Sequence, residues 1–258
     1  MLIVISPAKR LDWQERAVEM TAPAFPDDAA RLARTMRNLT LGDLRGLMGL
    51  SDDLARLNRD RFRAFVDAPD DAALRPAALA FAGDTYQGLR AWDFTADQMA
   101  RAQDRLRILS GLYGVLRPLD GIQPYRLEMG SRLKTRRGAN LYDYWRDGPA
   151  RALKAQADAI GTGTLVNCAS QEYFGAVDLK RLGLDVITPQ FLESDGDSAK
   201  MISFFAKRAR GTMARWLIEA DVTDPDAITG FDLDGYRHDA ARSTPGKPAF
   251  TRPRQPTA

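Results

Sequence analysis

An α/β architecture, with mixed α+β as the alternative, follows from three features of the sequence. Short apolar stretches at Leu2 to Ser6, Leu106 to Ser110 and Leu165 to Ala169 each end in serine or beside it. Long segments of helical periodicity separate them, and polar or charged residues follow each one directly. Strands alternating with helices form a parallel or mixed sheet, and in such sheets ligands collect in the crevice at the carboxyl ends of the strands. The 258 residues, 45% of them hydrophobic, suffice for a full core in a single domain.

Taken in order, Leu2 to Ser6 is a β-branched strand stopped by Pro7, which places Lys9 and Arg10 at its carboxyl end. Residues 21 to 28 read as a loop, with Asp27 or Asp28 capping a helix from near Ala29. Arg31 to Arg63 holds eight arginines against four aspartates, a local balance of +4, laid over leucines at helical spacing. Within it, 41 to 63 reads as two helices joined by a tight turn, Gly49, Leu50 and Ser51, flanked by Arg45 and Arg56. That is the layout of a helix-hairpin-helix, in which glycine permits close approach and helix-terminal amides bond a phosphate. An ordinary helical hairpin has the same layout.

Residues 67 to 78 form a Pro/Asp-rich connection, Tyr86 and Trp92 read as core aromatics, and Thr95 to Arg105 reads as a capped helix. The next stretch, residues 106 to 130, packs a strand, glycines, prolines and charges into one shaped passage. It contributes Ser110, Tyr113, Gln123 and Tyr125 as pocket residues, Arg117 and Arg126 as anion clamps, and Glu128 as an acid/base candidate. A mutual salt bridge that only pins the turn is the plainer account of Arg126 and Glu128. Arg132, Lys134, Arg136 and Arg137 form a basic loop before a helix around Tyr144 to Ala157. After the strand at 164 to 170, Asn167 and Ser170 join the pocket and Glu172 is the second acid/base candidate.

Asp185 to Leu192 reads as a strand, followed by a polar loop at 193 to 197 and a helix at 198 to 219. At about 100° per residue, Lys200, Lys207, Arg208, Arg210 and Arg215 fall on one arc. Met201, Ile202, Phe205, Ala209, Met213 and Trp216 fall on the other, while Phe204 stands among the cations, as at sites that handle bases. Asp221 to Asp239 is acidic, and Phe231, Leu233 and Tyr236 alternate as in a strand that pairs with Ala249 to Arg252. Pro253 to Ala258 reads as a frayed tail.

Composition narrows the classes. No run approaches the ~18 apolar residues of a membrane span, and the start is too soon interrupted for a signal peptide, so a cytoplasmic protein is expected; the sequence leaves its oligomeric state open, with a monomer favoured. The single Cys168 excludes an internal disulfide, and with only His238 beside it there is no soft-ligand cluster for a metal. No sequence pattern calls for a cofactor. The net charge of +3 is modest and unevenly spread.

The strings SPAK, FAGDTYQGL at 81 to 89, LSGLYGVLRPLDGIQPYRLEMG at 109 to 130, NCASQEYF at 167 to 174 and ISFFAKRARGTMARW at 202 to 216 together resemble the YaaA family of bacterial peroxide-stress proteins. The resemblance covers nearly the whole chain. It implies a cytoplasmic protein needed under hydrogen peroxide, linked to limiting free intracellular iron. It also implies binding of duplex or branched DNA through a basic cleft and a helix-hairpin-helix element. The residues themselves leave a second class open, an enzyme on a small anionic or phosphorylated substrate. Lys9, Arg117, Arg126, Glu128, Asn167, Glu172 and Lys200 are expected to converge on one pocket.

Overall fold

Strand Leu2–Ile5 is buried at all four positions, and a strand covered on both faces must be continuously apolar. In the computed structural model, which describes residues 1–196 and 198–254, it is the middle strand of five. Leu106–Ser110 runs parallel to it on one side, with Ile3 opposite Leu106. Thr164–Cys168 runs parallel on the other, with Leu2 opposite Leu165. Asp185–Ile187 adds a further parallel strand and Gly114–Leu116 closes the opposite edge antiparallel. The three strands read from the sequence are therefore adjacent and co-directional, and their carboxyl ends meet at one edge.

A second sheet follows the order Ser198–Lys200, Gln190–Asp195, Lys247–Pro253, Arg237–Thr244. The expected single strand from Asp185 to Leu192 is two strands in two sheets. Pro189 lacks the N–H that a continuing ladder would need, and Thr188 N–H bonds instead to the Gly246 carbonyl. The expected loop at 193 to 197 is largely strand: Gln190–Asp195 turns at Gly196 and pairs antiparallel with Ser198–Lys200, Glu193 opposite Lys200. Phe191, Phe231 and Phe250 pack edge-on or stacked at 5.5 to 5.9 Å, with Tyr236 against Phe191, so this sheet has its own aromatic core. Leu233 is exposed, because the strand begins only at Arg237. Pro253 ends a paired strand rather than starting a tail, and residues 255–258 lie outside the described residues.

The long helix Ser203–Glu219 lies against the short helix Asp84–Leu89. Two glycines make that contact. A Cβ on Gly88 would lie 2.1 Å from the Arg208 carbonyl oxygen, and one on Gly211 would lie 1.8 Å from that of Thr85. The helix starts at Ser203, so Lys200 is a strand residue and not part of its cationic face. Met201, expected to pack, is exposed, and Arg215, expected among the free cations, is tied to Glu219 and to the Leu89 and Arg90 carbonyls. Trp92, expected in the core, is 50% exposed on a 3-10 turn, whereas Tyr86 is buried.

Other boundaries also differ. Helix Pro26–Arg37 starts on a proline, which puts Asp27 and Asp28 in the first turn instead of at the cap. The helix expected around Tyr144 to Ala157 is two, Leu141–Trp145 and Gly148–Ala159, broken where Arg146 adopts φ 48°. Thr95 caps Ala96–Arg105 through a reciprocal bond pair with Gln98. The hairpin forms as read: Leu41–Met48 ends on Gly49 at φ 60°, ψ 46°, and Asp52–Ala64 begins beneath the Ser51 cap. Among the described residues, no helix is long and apolar enough to cross a membrane.

Candidate functional site

The adjacency of Leu2–Ile5 and Thr164–Cys168 brings the segments that follow them side by side. Ser170 N–H donates to Ser6 Oγ at 2.9 Å, and Ser6 Oγ donates to Ser170 Oγ at 3.3 Å. Tyr86 O–H donates to the Ser6 carbonyl at 3.1 Å, which ties the short helix to the same edge. A cleft of about 380 Å³ opens between these strand ends and the helix pair. One wall carries Lys9, Glu128, Ser170 and Glu172; the other carries Asp84, Lys207 and Arg210.

The charges in this cleft are satisfied unequally. Arg126 Nε donates to Glu128 Oε1 at 2.8 Å and Lys9 Nζ stands 3.7 Å from the same oxygen, so Glu128 is compensated on one side. Its Oε2 is buried without a hydrogen-bond partner among the described residues. Burial, and then the neighbouring Arg126, lowers the pKa of Arg61, so a second guanidinium stands near Arg126. Glu172 Oε1 accepts from Gly130 N–H at 2.9 Å, and Tyr142 O–H donates to the Glu172 carbonyl.

On the facing wall, Arg210 stands over the buried Cys168 and reaches Met201 Sδ at 3.9 Å. Burial lowers the Arg210 pKa, partly offset by the Cys168 thiol; burial pushes that thiol up to about 12. Tyr86 and Tyr173 are both held far above the usual phenol range by burial, so they remain neutral walls. Lys207 and Arg210 form no ion pair among the described residues. Such a cleft can hold an anion against Lys207 and Arg210, and a hydrogen-bond donor against Glu172. No group of three or more His, Cys, Asp or Glu placed to hold a metal occurs among the described residues.

Of the residues expected to converge, Lys9, Glu128 and Glu172 line this cleft, with Ser170 beside them. Arg126 lines an adjoining recess with Lys9 and Glu128. Three others lie elsewhere. Arg117 is spent on Asp120 at 3.0 Å and the Ala22 carbonyl. Asn167, buried in its strand, accepts from Ala169 N–H at 3.0 Å. Lys200 sits in the second sheet opposite Glu193.

The proposed pocket residues of the 106 to 130 passage form a buried brace beneath the loop. Ser110 Oγ and Tyr125 O–H share a 2.6 Å bond, and Ser110 Oγ also accepts from the Leu112 and Tyr113 amides. The Gln123 amide N–H donates to Tyr113 Oη, while its side chain clamps both backbone groups of Val66 at 3.0 and 2.8 Å. Tyr113 and Gln123 face a separate, mostly apolar cavity of about 390 Å³, together with Met20 and Phe65.

In the hairpin, Arg45 pairs with Asp52 at 2.9 Å, Ser51 caps the Leu54 amide, Leu50 is buried and Arg56 is exposed. Arg208 is exposed on the long helix. Asp84 was not singled out from the sequence. Its signal is the Gly83-Asp84 step that opens a helix directly after Phe81–Ala82, the strand paired with Arg10–Leu11.

The chain matches the family model described as peroxide stress protein YaaA over residues 1–242. A UPF0246 protein of Ruegeria pomeroyi is 68% identical over 255 residues, 99% of this chain and 100% of the relative. One from Roseobacter denitrificans is 67% identical over 98% of each chain. One from Caulobacter vibrioides is 51% identical over 98% of this chain and 99% of the relative.

Proposed function

The chain belongs to the YaaA family of peroxide stress proteins, and from that premise we propose that it binds DNA largely without reading sequence. The main contact is the exposed edge of the Ser203–Glu219 helix, with the hairpin at Gly49 as a weaker second contact. The observation that carries this reading is a run of cations left without acidic partners. Lys207 and Arg208 are exposed, Arg210 is half-buried, and none of the three forms an ion pair among the described residues. Phe204, 52% exposed, stands one turn away and offers a face on which a base can stack. Cations that are already desolvated or unpaired bind phosphate without first breaking an internal bridge.

In a cell this binding would serve to protect cytoplasmic DNA during peroxide stress. Lowering of free intracellular iron belongs to the proposal as a cellular consequence, with no chemical step assigned to the cleft. Fluorescence anisotropy with two unrelated duplexes across a salt series tests the reading. Equal affinities and a linear fall of log K with log salt are expected; affinity independent of salt would overturn it.

A second reading is favoured by the size of the cleft. A cavity of about 380 Å³ is too narrow for a duplex and matches one small ligand. This supports an enzyme or sensor for a small phosphorylated compound, with Glu172 as the acid/base candidate. Stabilisation by inorganic phosphate and phosphorylated compounds in a thermal melt is its test. No shift with any of them would remove it.

A further inference from the structure

The cleft holds unpaired charges of both signs that do not pair with each other. Glu172 has no cationic partner among the described residues, and only one of its oxygens is engaged, by Gly130 N–H. Lys207 and Arg210 form no ion pair among the described residues, although Asp84 and Glu172 line the same cleft. Separate elements fix the two walls. Glu172 follows the Ser170 segment that is bonded to Ser6, whereas Lys207 and Arg210 ride on a helix locked to its neighbour by glycine contacts. A gap kept open between unmatched opposite charges suits a ligand with an anion at one end and N–H donors at the other. Buried Tyr86 and Tyr173 supply aromatic surface between them.

We infer that this cleft binds one nucleoside 5′-monophosphate unit, its phosphate on Lys207 and Arg210 and the donor edge of its base on Glu172. Guanine is the best fit, because it presents adjacent N1–H and N2–H donors to a carboxylate, whereas thymine presents one. The inference deepens the DNA-binding reading and rests on it for one of two sources. The unit is either a free nucleotide or an unpaired nucleotide extruded from a DNA strand, at the usual cost of unstacking. A paired duplex is too wide for the space, so it would engage Phe204, Arg208 and the exposed Lys207 at the rim while leaving the interior of the cleft empty.

Calorimetry with dGMP, dTMP and inorganic phosphate, alongside anisotropy with a paired duplex and the same duplex carrying one bulged guanine, tests this. Expected is dGMP binding at least about tenfold tighter than dTMP or phosphate. Glu172→Gln retains an oxygen for Gly130 N–H and should weaken dGMP by about tenfold while leaving paired-duplex affinity unchanged. Arg210→Met is the second variant; it should abolish the discrimination between dGMP and guanosine. A bulged guanine that binds about tenfold tighter than the paired duplex assigns the unit to DNA. Equal duplex affinities with dGMP binding retained assign it to the free nucleotide. If neither dGMP nor the bulge binds better than phosphate and the paired duplex, the inference is overturned. Loss of all duplex binding with dGMP binding intact would instead overturn the DNA reading alone.

Discussion

The hairpin of residues 41 to 63 and the long helix Ser203–Glu219 are both arginine-rich in sequence, yet among the described residues a larger share of the hairpin's charges is already engaged, although Arg56 and Arg63 form no ion pair. In and around the hairpin, Arg45 pairs with Asp52, Arg59 with Asp60, and Arg34 with Asp67, while Arg37 donates to the Phe62 and Phe65 carbonyls. On the long helix, Arg215 is committed in the same manner, but Lys207, Arg208 and Arg210 are not. Local charge balance and a count of engaged cations therefore rank the two regions differently. What matters for a phosphate is the number of cations with no prior engagement, since each internal bridge must be given up before a new one forms. The amides of the second hairpin helix are also less available: Ser51 takes one, and Asp52 and Asp53 add negative charge where a phosphate would sit.

The largest effect should come from removing the platform that holds the cationic helix in place. Gly211→Val would drive side-chain atoms into the Thr85 backbone and should cost about 3 kcal/mol or more of stability. Urea denaturation measures this. A wild-type midpoint would mean that the two helices do not pack as described.

Next in size, reversing charge at Lys207 and Arg208 together should lower duplex affinity on the order of 100-fold at low salt. It should also flatten the salt slope by roughly 2. The matched reversal of Arg45 and Arg56 should cost no more than about fivefold. If the hairpin pair proved the more damaging, the comparison drawn above would be inverted.

Gly49→Val sharpens the hairpin side. A β-branched residue at φ 60° should lose about 1–2 kcal/mol of stability, read by thermal melting. In the fraction that remains folded, duplex affinity should fall only a few-fold. A folded variant with unchanged affinity would reduce the segment to a structural hairpin.

The smallest reactivity in the folded chain is expected at Cys168. Its pKa of about 12 keeps it a thiol at neutral pH, and peroxide reacts with the thiolate. Because burial raises the folded-state value above the ordinary one, the thiolate fraction is lower in the folded chain than in the unfolded chain at any pH below about 12. Modification by hydrogen peroxide at pH 7.5 should therefore be slow in the folded protein and rise on the order of 100-fold in urea, as followed by mass spectrometry. Rapid oxidation of the folded chain would make Cys168 a sensor, contrary to its environment.

Much of this arrangement was legible from residues alone. The three apolar strands are buried on both faces, so they carry an uninterrupted signal, and their parallel adjacency follows from the helices between them. Lys9 and Glu172 could be brought to one site because each lies just beyond a strand end, and Glu128 because it belongs to the loop passage that follows Leu106–Ser110. Lys200 and Arg117 could not be excluded in the same way. Arg117 turns to Asp120, three residues on, a choice that spacing alone does not set, and Lys200 lies in a sheet completed by the much later Lys247–Pro253. The break at Thr188–Pro189 was signalled by the proline, yet the new sheet it opens is completed by Lys247–Pro253, far along the chain. Trp92 and Arg215 show the same limit from the other side: composition assigns a preference, and tertiary context sets the outcome.

The parallel pairing of Gln190–Asp195 with Lys247–Pro253 also bears on how the chain is made. By the time Asp185–Ile187 leaves the ribosome, every strand of the five-stranded sheet has been synthesised. The second sheet has to wait. Phe191 emerges early, while Phe250, stacked on it at 5.6 Å, belongs to the strand made after every other described element. During that interval the nascent chain carries Gln190–Asp195 with one edge unpaired and its aromatic face uncovered, the kind of exposure that recruits chaperones or invites aggregation. A translational pause between Lys200 and Arg237 would prolong this state, and a ribosome stalled before Phe250 would leave the nascent chain with a finished first layer and an open second one.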